Sequence, residues 1–207
     1  MPLWGNAHAS ATNKPKFLPQ DEDSDYNRAD CYATNAGWVM QAGSKSSGNS
    51  NTSADPEILV ASGGLAGATD TTGLRAPTVT SMRFVKGTTA NTDLTAVDST
   101  GRVMVEITWD EEVTVVGSPQ VVVANNNASG GGFGNYTLTY TATGSTANRK
   151  RFTATSQSLG NTDVLTLGGS NISLNSGTIS DTVRGGTSQA ASLVLSGISA
   201  VAVTIAS

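Results

Sequence analysis

The sequence predicts an all-β chain: an antiparallel two-sheet sandwich over residues 76–207, preceded over residues 1–75 by an extended N-terminal arm and a small β-hairpin element. Three observations carry this. Short runs of alternating apolar and polar residues follow one another at the spacing of an all-β sandwich. Val, Ile, Thr and Tyr dominate those runs, and such side chains suit a pleated, half-buried surface. No segment carries a helical stripe of apolar residues at three- and four-residue spacing.

The first thirty or so residues read as an arm. Pro2, Pro15 and Pro19 block regular structure, while Leu3, Trp4, Phe17 and Leu18 are large apolar residues with no local core to fill. A partner surface is the natural destination for such side chains, which makes Leu3, Trp4, Phe17, Leu18 and Trp38 candidate docking anchors. "GWVMQAG" (37–43) and "EILVASG" (57–63) read as a hairpin joined by the Gly/Ser/Asn-rich loop 44–54. Asp55, Pro56 and Glu57 also fit the start of a short helix.

The chain divides near "LRAPTVTS". The alternating runs that follow are "TVTSMRFV" (78–85), "GRVMVEITW" (101–109), "EVTVV" (112–116), "PQVVVAN" (119–125), "NYTLTYTAT" (135–143), "KRFTATS" (150–156), "DVLTL" (163–167) and "ASLVLSGISAVAVTIA" (191–206). Strand side chains alternate with period two, so Val103, Val105, Ile107 and Trp109 share one face, as do Tyr136, Leu138 and Tyr140. Asp110, Glu111 and Glu112 interrupt that alternation before Val113, Val115 and Val116 resume it. Such a break marks a bulge or a strand switching sheets, with the acids expected in solvent. Catalytic carboxylates face one another across a cleft rather than standing consecutively on a rim. Arg149, Lys150 and Arg151 read as a solvated turn between strands.

Composition excludes several chemistries. Charged residues make up 14% of the chain against a usual figure of about 25%, and the formal net charge is −4, so there is no basic patch for nucleic acid. Cys31 and His8 each stand alone, which excludes an internal disulfide, a cysteine-rich zinc site and an oriented nucleophile–histidine pair. A non-enzyme without cofactor or metal is expected, with Cys31 a small, partly buried apolar residue. The opening "MPLWGN" lacks the basic region and apolar core of a signal peptide, and no run approaches a membrane span. Folding in a reducing cytosol and no membrane insertion are expected. Asp21, Asp23 and Asp25 alternate like the first half of a calcium loop, but Tyr26 and Tyr32 stand where the Gly and Glu belong. "SGGGFG" (129–134) has no following helix or Lys-Ser/Thr pair to make a phosphate cradle, and reads as a mobile loop presenting Phe133 as an outer contact.

Two stretches carry resemblances. "GRVMVEITWDEEVTVVGSPQVVV", "YTLTYTATGSTANRKRFTATS", "DVLTLGGSNISLNSGTISDTVRGG" and "ASLVL" resemble the immunoglobulin-like repeat of large bacterial and cyanobacterial surface proteins, the SwmB and Bap-type adhesin repeats. The matching positions are Trp109, Glu111, Val113, Val115, Gly117, Pro119, Tyr140, Phe152, Asp163, Leu165, Gly177, Ile179 and Asp181, within residues 78–195. This resemblance implies an all-β, immunoglobulin-like antiparallel β-sandwich. Related repeats bind calcium between copies, which would involve acids such as Asp163 and Asp181. The loop "NNNASGGGFGN" is longer than usual and the usual array of copies is absent, so a long stalk is not expected.

"MPLWGNAHASATNKPKFLP", "CYATNAGWV" and "ADPEILVASGGLAG" resemble openings shared by virion structural proteins of marine T4-like cyanophages. That resemblance implies a non-enzymatic phage virion protein of the capsid decoration or cement type, assembled in the host cytoplasm and multimeric on the particle. Its N-terminal region would dock on the major capsid protein or a tail protein, and its immunoglobulin-like domain would be displayed toward host surface glycans or proteins. The alternatives are a tail, neck or fibre-associated virion protein, or a cell-surface adhesin fragment.

Overall fold

The computed structural model describes residues 14–15, 17–18, 27–66, 76–85, 103–130, 134–154, 159–181 and 188–205. All its sheets are antiparallel. A small sheet is built from β1 (Cys31–Thr34), β2 (Gly37–Met40) and β3 (Glu57–Ala61) in that order. A seven-stranded sheet uses β4 (Val79–Val85), β5 (Met104–Trp109), β7 (Gln120–Asn125), β8 (Tyr136–Thr141), β9 (Arg149–Thr153), β10 (Val164–Leu167) and β12 (Val201–Thr204). Its neighbour order is β12-β10-β7-β8-β9-β5-β4. A two-stranded ribbon pairs β6 (Val113–Val116) with β11 (Thr178–Asp181).

The large sheet curls until its edge strands β4 and β12 approach each other, which leaves it nearly closed. Gly168 sits at this seam with φ +108, where a Cβ would meet Met82 Cε at 2.5 Å. The period-two pattern explains the interior. Val105 lies opposite Phe152, Val121 opposite Leu138, Val123 opposite Tyr136, and Leu165 opposite Val203. All eight side chains are buried in one cluster. Such cross-strand apolar pairs are the unit of sheet stabilisation, and Tyr140 meets Phe152 edge-on at 6.2 Å to extend the row. The ribbon adds Val113 and Ile179 to the same core.

The small sheet has its own core of Leu18, Cys31, Ala33, Trp38, Met40 and Leu65. Its first hairpin turns through Asn35 and Ala36, between the paired residues Thr34 and Gly37. Gly37 is required there: its φ is +130, and a Cβ would run into the Val60 carbonyl of β3.

The expected strands between residues 78 and 167 appear with ends shifted by a few residues, and so does the hairpin of 37–43 with 57–63, whereas of the run 191–206 only Val201–Thr204 is a strand. "CYAT" forms a third strand, β1, with no alternation of large apolar residues of its own. Glu57 begins β3, so of the two readings of that stretch the hairpin holds and the helix start does not. One reading is corrected: Arg149, Lys150 and Arg151 are buried in β9, a strand paired with β5 and β8, rather than lying in a solvated turn. The interior claim has a direct check. Leu165→Ala should cost about 2–5 kcal/mol in urea unfolding, because β10 lines a packed interior; a loss below about 1 kcal/mol would contradict that placement.

Candidate functional site

The small sheet meets the barrel where β5 ends. Asn27 caps a 3-10 turn over Arg28–Asp30 by accepting from the Ala29 amide at 2.6 Å, which presents Asp30 to the barrel. Arg149 Nη2 then donates to Asp30 Oδ1 at 3.0 Å. Asn148 Nδ2 donates to the carbonyls of Ala29 (3.1 Å) and Trp109 (3.0 Å), one from each side of the junction. The Ala33 amide donates to the Asp110 carbonyl at 2.7 Å, and Ala33 and Glu111 form a parallel bridge. The Asp110 carboxylate accepts from the Thr78 amide at 2.7 Å and the Thr78 hydroxyl at 2.6 Å. One residue thereby ties β1 to the start of β4.

The break in alternation at residues 110–112 is therefore a bend between β5 and β6, as the sequence suggests. Its acids are not in solvent, which corrects the expectation: Asp110 and Glu111 are buried and Glu112 is half-buried. Burial pushes the Asp110 carboxyl up despite the opposing Thr78 hydrogen bonds and the Lys14 charge.

Cross-strand register aligns Arg83 of β4 with Glu106 of β5 and Glu106 with Arg151 of β9. Arg83 forks onto Glu106 Oε2 through Nε (3.0 Å) and Nη2 (2.9 Å). Arg151 forks onto Oε1 through Nε (3.1 Å) and Nη2 (2.6 Å). Arg149 Nε lies 3.8 Å from Oε2. Burial opposes ionisation of Glu106, but the charges of Arg83, Arg149 and Arg151 outweigh it and hold the carboxyl below the usual range. Lys150 points to the opposite face, level with Ile107. Its Nζ donates to the Thr146 carbonyl at 2.6 Å, and burial lowers it to about 8 against the pull of Glu112.

A cavity of about 260 Å³ opens at the same junction. Its floor is a cross-strand row, Tyr32 of β1 beside Val39 of β2 beside Ile58 of β3, on the face opposite the small core. Glu111, Glu112 and Asp181 also line the cavity. Glu111 is 2% exposed, and its Oε1 has no hydrogen-bond partner. Burial, helped by Asp110 and Asp181, pushes its carboxyl up to about 9, so the cavity is lined by a neutral acid at about pH 7.

The sequence-derived anchors divide. Leu18 (5% exposed) and Trp38 (3%) are buried in the small sheet's own core and present nothing to a partner, which corrects their assignment. Phe17 is 70% exposed. Leu3, Trp4 and Phe133 lie outside the described residues, as do His8 and Asp21, Asp23 and Asp25. Asp163 accepts from the Ser129 amide (2.8 Å) and Asn125 Nδ2 (3.0 Å), bonds that hold its carboxyl below its usual range and tether the loop after β7. Asp181 Oδ1 accepts from the Gln189 amide at 2.6 Å. Cys31 is fully buried and its thiol is pushed up to about 12, which makes it unreactive. Among the described residues, no group of three or more His, Cys, Asp or Glu is arranged to hold a metal ion, and no helix is long and apolar enough to cross a membrane. No protein-family model matches the chain, and no curated protein or solved structure matches it either.

Glu111 makes stability depend on pH in a defined direction. Its folded pKa is raised, so the folded chain keeps a proton that the unfolded chain loses above about pH 4.5. Its contribution is complete below that pH and drains away as pH rises toward about 9. Glu111→Gln should flatten the fall in Tm across this window and make the variant the more stable protein at about pH 8. Parallel Tm curves for the two proteins would contradict the neutral buried acid.

Proposed function

We propose that the chain is a non-enzymatic virion structural protein of the decoration type, docking through its N-terminal region and displaying an immunoglobulin-like domain. Strand order supports the display half of this reading. An immunoglobulin constant-type sandwich has one sheet ordered G-F-C and one ordered D-E-B-A. The order β12-β10-β7 followed by β8-β9-β5-β4 is that pair of sheets laid end to end, joined through the β7–β8 pairing.

The observation that carries the docking half is Phe17. Leu18 beside it is buried, and Arg28 clamps the Leu18 carbonyl through Nε (3.0 Å) and Nη2 (2.7 Å). The Leu18 amide donates to the Pro15 carbonyl at 3.3 Å. An exposed aromatic ring on a turn held this way loses little freedom on binding, which suits an anchor in a partner's pocket. The buried junction then transmits the docked orientation to the barrel. The partner is another virion protein, and many copies on one particle make a weak outer-face interaction effective.

Immunogold labelling of purified cyanophage virions with antibody to this chain should decorate the particle at regular positions. Phe17→Ala should lower occupancy at least about tenfold at limiting concentration while leaving the unfolding curve unchanged. Absence of label, or full occupancy by the variant, would overturn the reading.

A further inference from the structure

The cavity at the junction has an unlike lining. The Tyr32–Val39–Ile58 row is largely apolar, whereas Glu111, Glu112, Asp181 and Asp55 line the same cavity with carboxyl groups. Glu111 decides what such a cavity is built to take. It is almost fully buried, it borders the cavity, and its Oε1 has no hydrogen-bond partner. A buried polar atom left so is costly unless something enters to satisfy it. The acids are not arranged around a single metal-sized point. An ammonium or guanidinium group, with several N–H donors directed apart, can reach spread carboxylates where a small ion cannot.

We propose that this cavity binds an organic cation with an alkyl stem, the chemistry of a lysine or arginine side chain. The head group lies among Glu111, Glu112 and Asp181, and the methylenes lie along Tyr32, Val39 and Ile58. The volume of about 260 Å³ accommodates a stem of that size. This site is independent of the virion reading, since the ligand chemistry comes from the cavity alone.

Binding carries a proton signature. Around Glu111 stand Asp110 and Glu112 of its own segment, Asp181 from β11, Tyr32 from β1 and Asp55 from the loop before β3. Lys14 acts on Asp110 and Lys150 on Glu112. A cation entering this acidic surround ionises Glu111, which releases its proton to solvent. Affinity should therefore climb with pH between about 6 and 9, approaching tenfold per pH unit, and should level off above that.

Isothermal titration of the full chain tests this with n-butylammonium, n-propylguanidinium and the neutral n-butanol, each run at about pH 7 in two buffers of different ionisation enthalpy. Saturable binding of either cation with Kd of about 1 mM or tighter is expected, with about one proton released per ligand and no binding of the alcohol. A blocked Gly-Lys-Gly peptide distinguishes the source: binding at least as tight as n-butylammonium points to a side chain on a partner protein, weaker binding to a free amine. Glu111→Gln should abolish proton release and the pH dependence. Ligand-induced elevation of Tm in the unaltered chain keeps the proposal testable if that variant folds poorly. No saturation by either cation below about 10 mM, equal binding of n-butanol, or preferential binding of Ca²⁺ would overturn it.

Discussion

The buried carboxylate of Glu106 is the constraint on which the rest of the structure turns. It is 1% exposed, on the outer face of the strongly curved sheet, and it is tolerable there only because Arg83 and Arg151 fork onto its two oxygens. That demand reaches beyond one pair. The forks come from the strands on either side, so the registers β4–β5 and β5–β9 must both be correct. A slip by one residue would set the arginines against Val105 or Ile107 and turn Glu106 inward. Apolar alternation inside the barrel and charge alignment outside it therefore specify the same register, and local and global preferences agree. Arg149 carries the network across to Asp30, so the small sheet is fastened by the same charges that fix the barrel.

Five residues further along, burial meets the opposite solution. Glu106 has cations on both sides and is held ionised, whereas Glu111 has acids for neighbours and is pushed to the neutral form. The difference lies in the bend at Asp110, which takes the chain out of the seven-stranded sheet and into the ribbon with β11. That turn moves Glu111 away from the arginine ladder and places it beside Asp181. A residue left neutral and unsatisfied in a cavity is a local departure from the consistency seen elsewhere, and such departures concentrate at functional sites.

Much of the fold was legible because it rests on period-two alternation. Val121 and Val123, Tyr136 and Leu138, and Val105 and Ile107 all face inward as their spacing requires. β1 and β11 were not legible, because neither "CYAT" nor "TISD" repeats a large apolar residue at alternate positions, and each is held as a strand by its pairing with β2 or β6. The charged runs misled for a related reason. Glu106 meets partners 23 and 45 residues away, a pairing fixed by sheet register and invisible to a local window. A signal was nonetheless present. "MRFV", "VEIT" and "RKRF" each place a charge on the non-core face of a strand, positive, negative and positive, as a buried ladder across three strands would need. Leu18 and Trp38 looked like anchors for a partner because the core they fill assembles from segments separated in sequence, down to Leu65.

Calorimetry of Glu106→Gln against the unaltered chain tests the central role of this carboxylate. The unaltered chain should unfold in one transition whose calorimetric and van't Hoff enthalpies agree, because the network joins both sheets. The amide leaves buried guanidinium groups without their counter-charge, so the whole transition should move down together, by about 3–5 kcal/mol of stability. A variant whose Tm is unchanged, or a second peak for the small sheet that stays in place while the barrel shifts, would contradict the account.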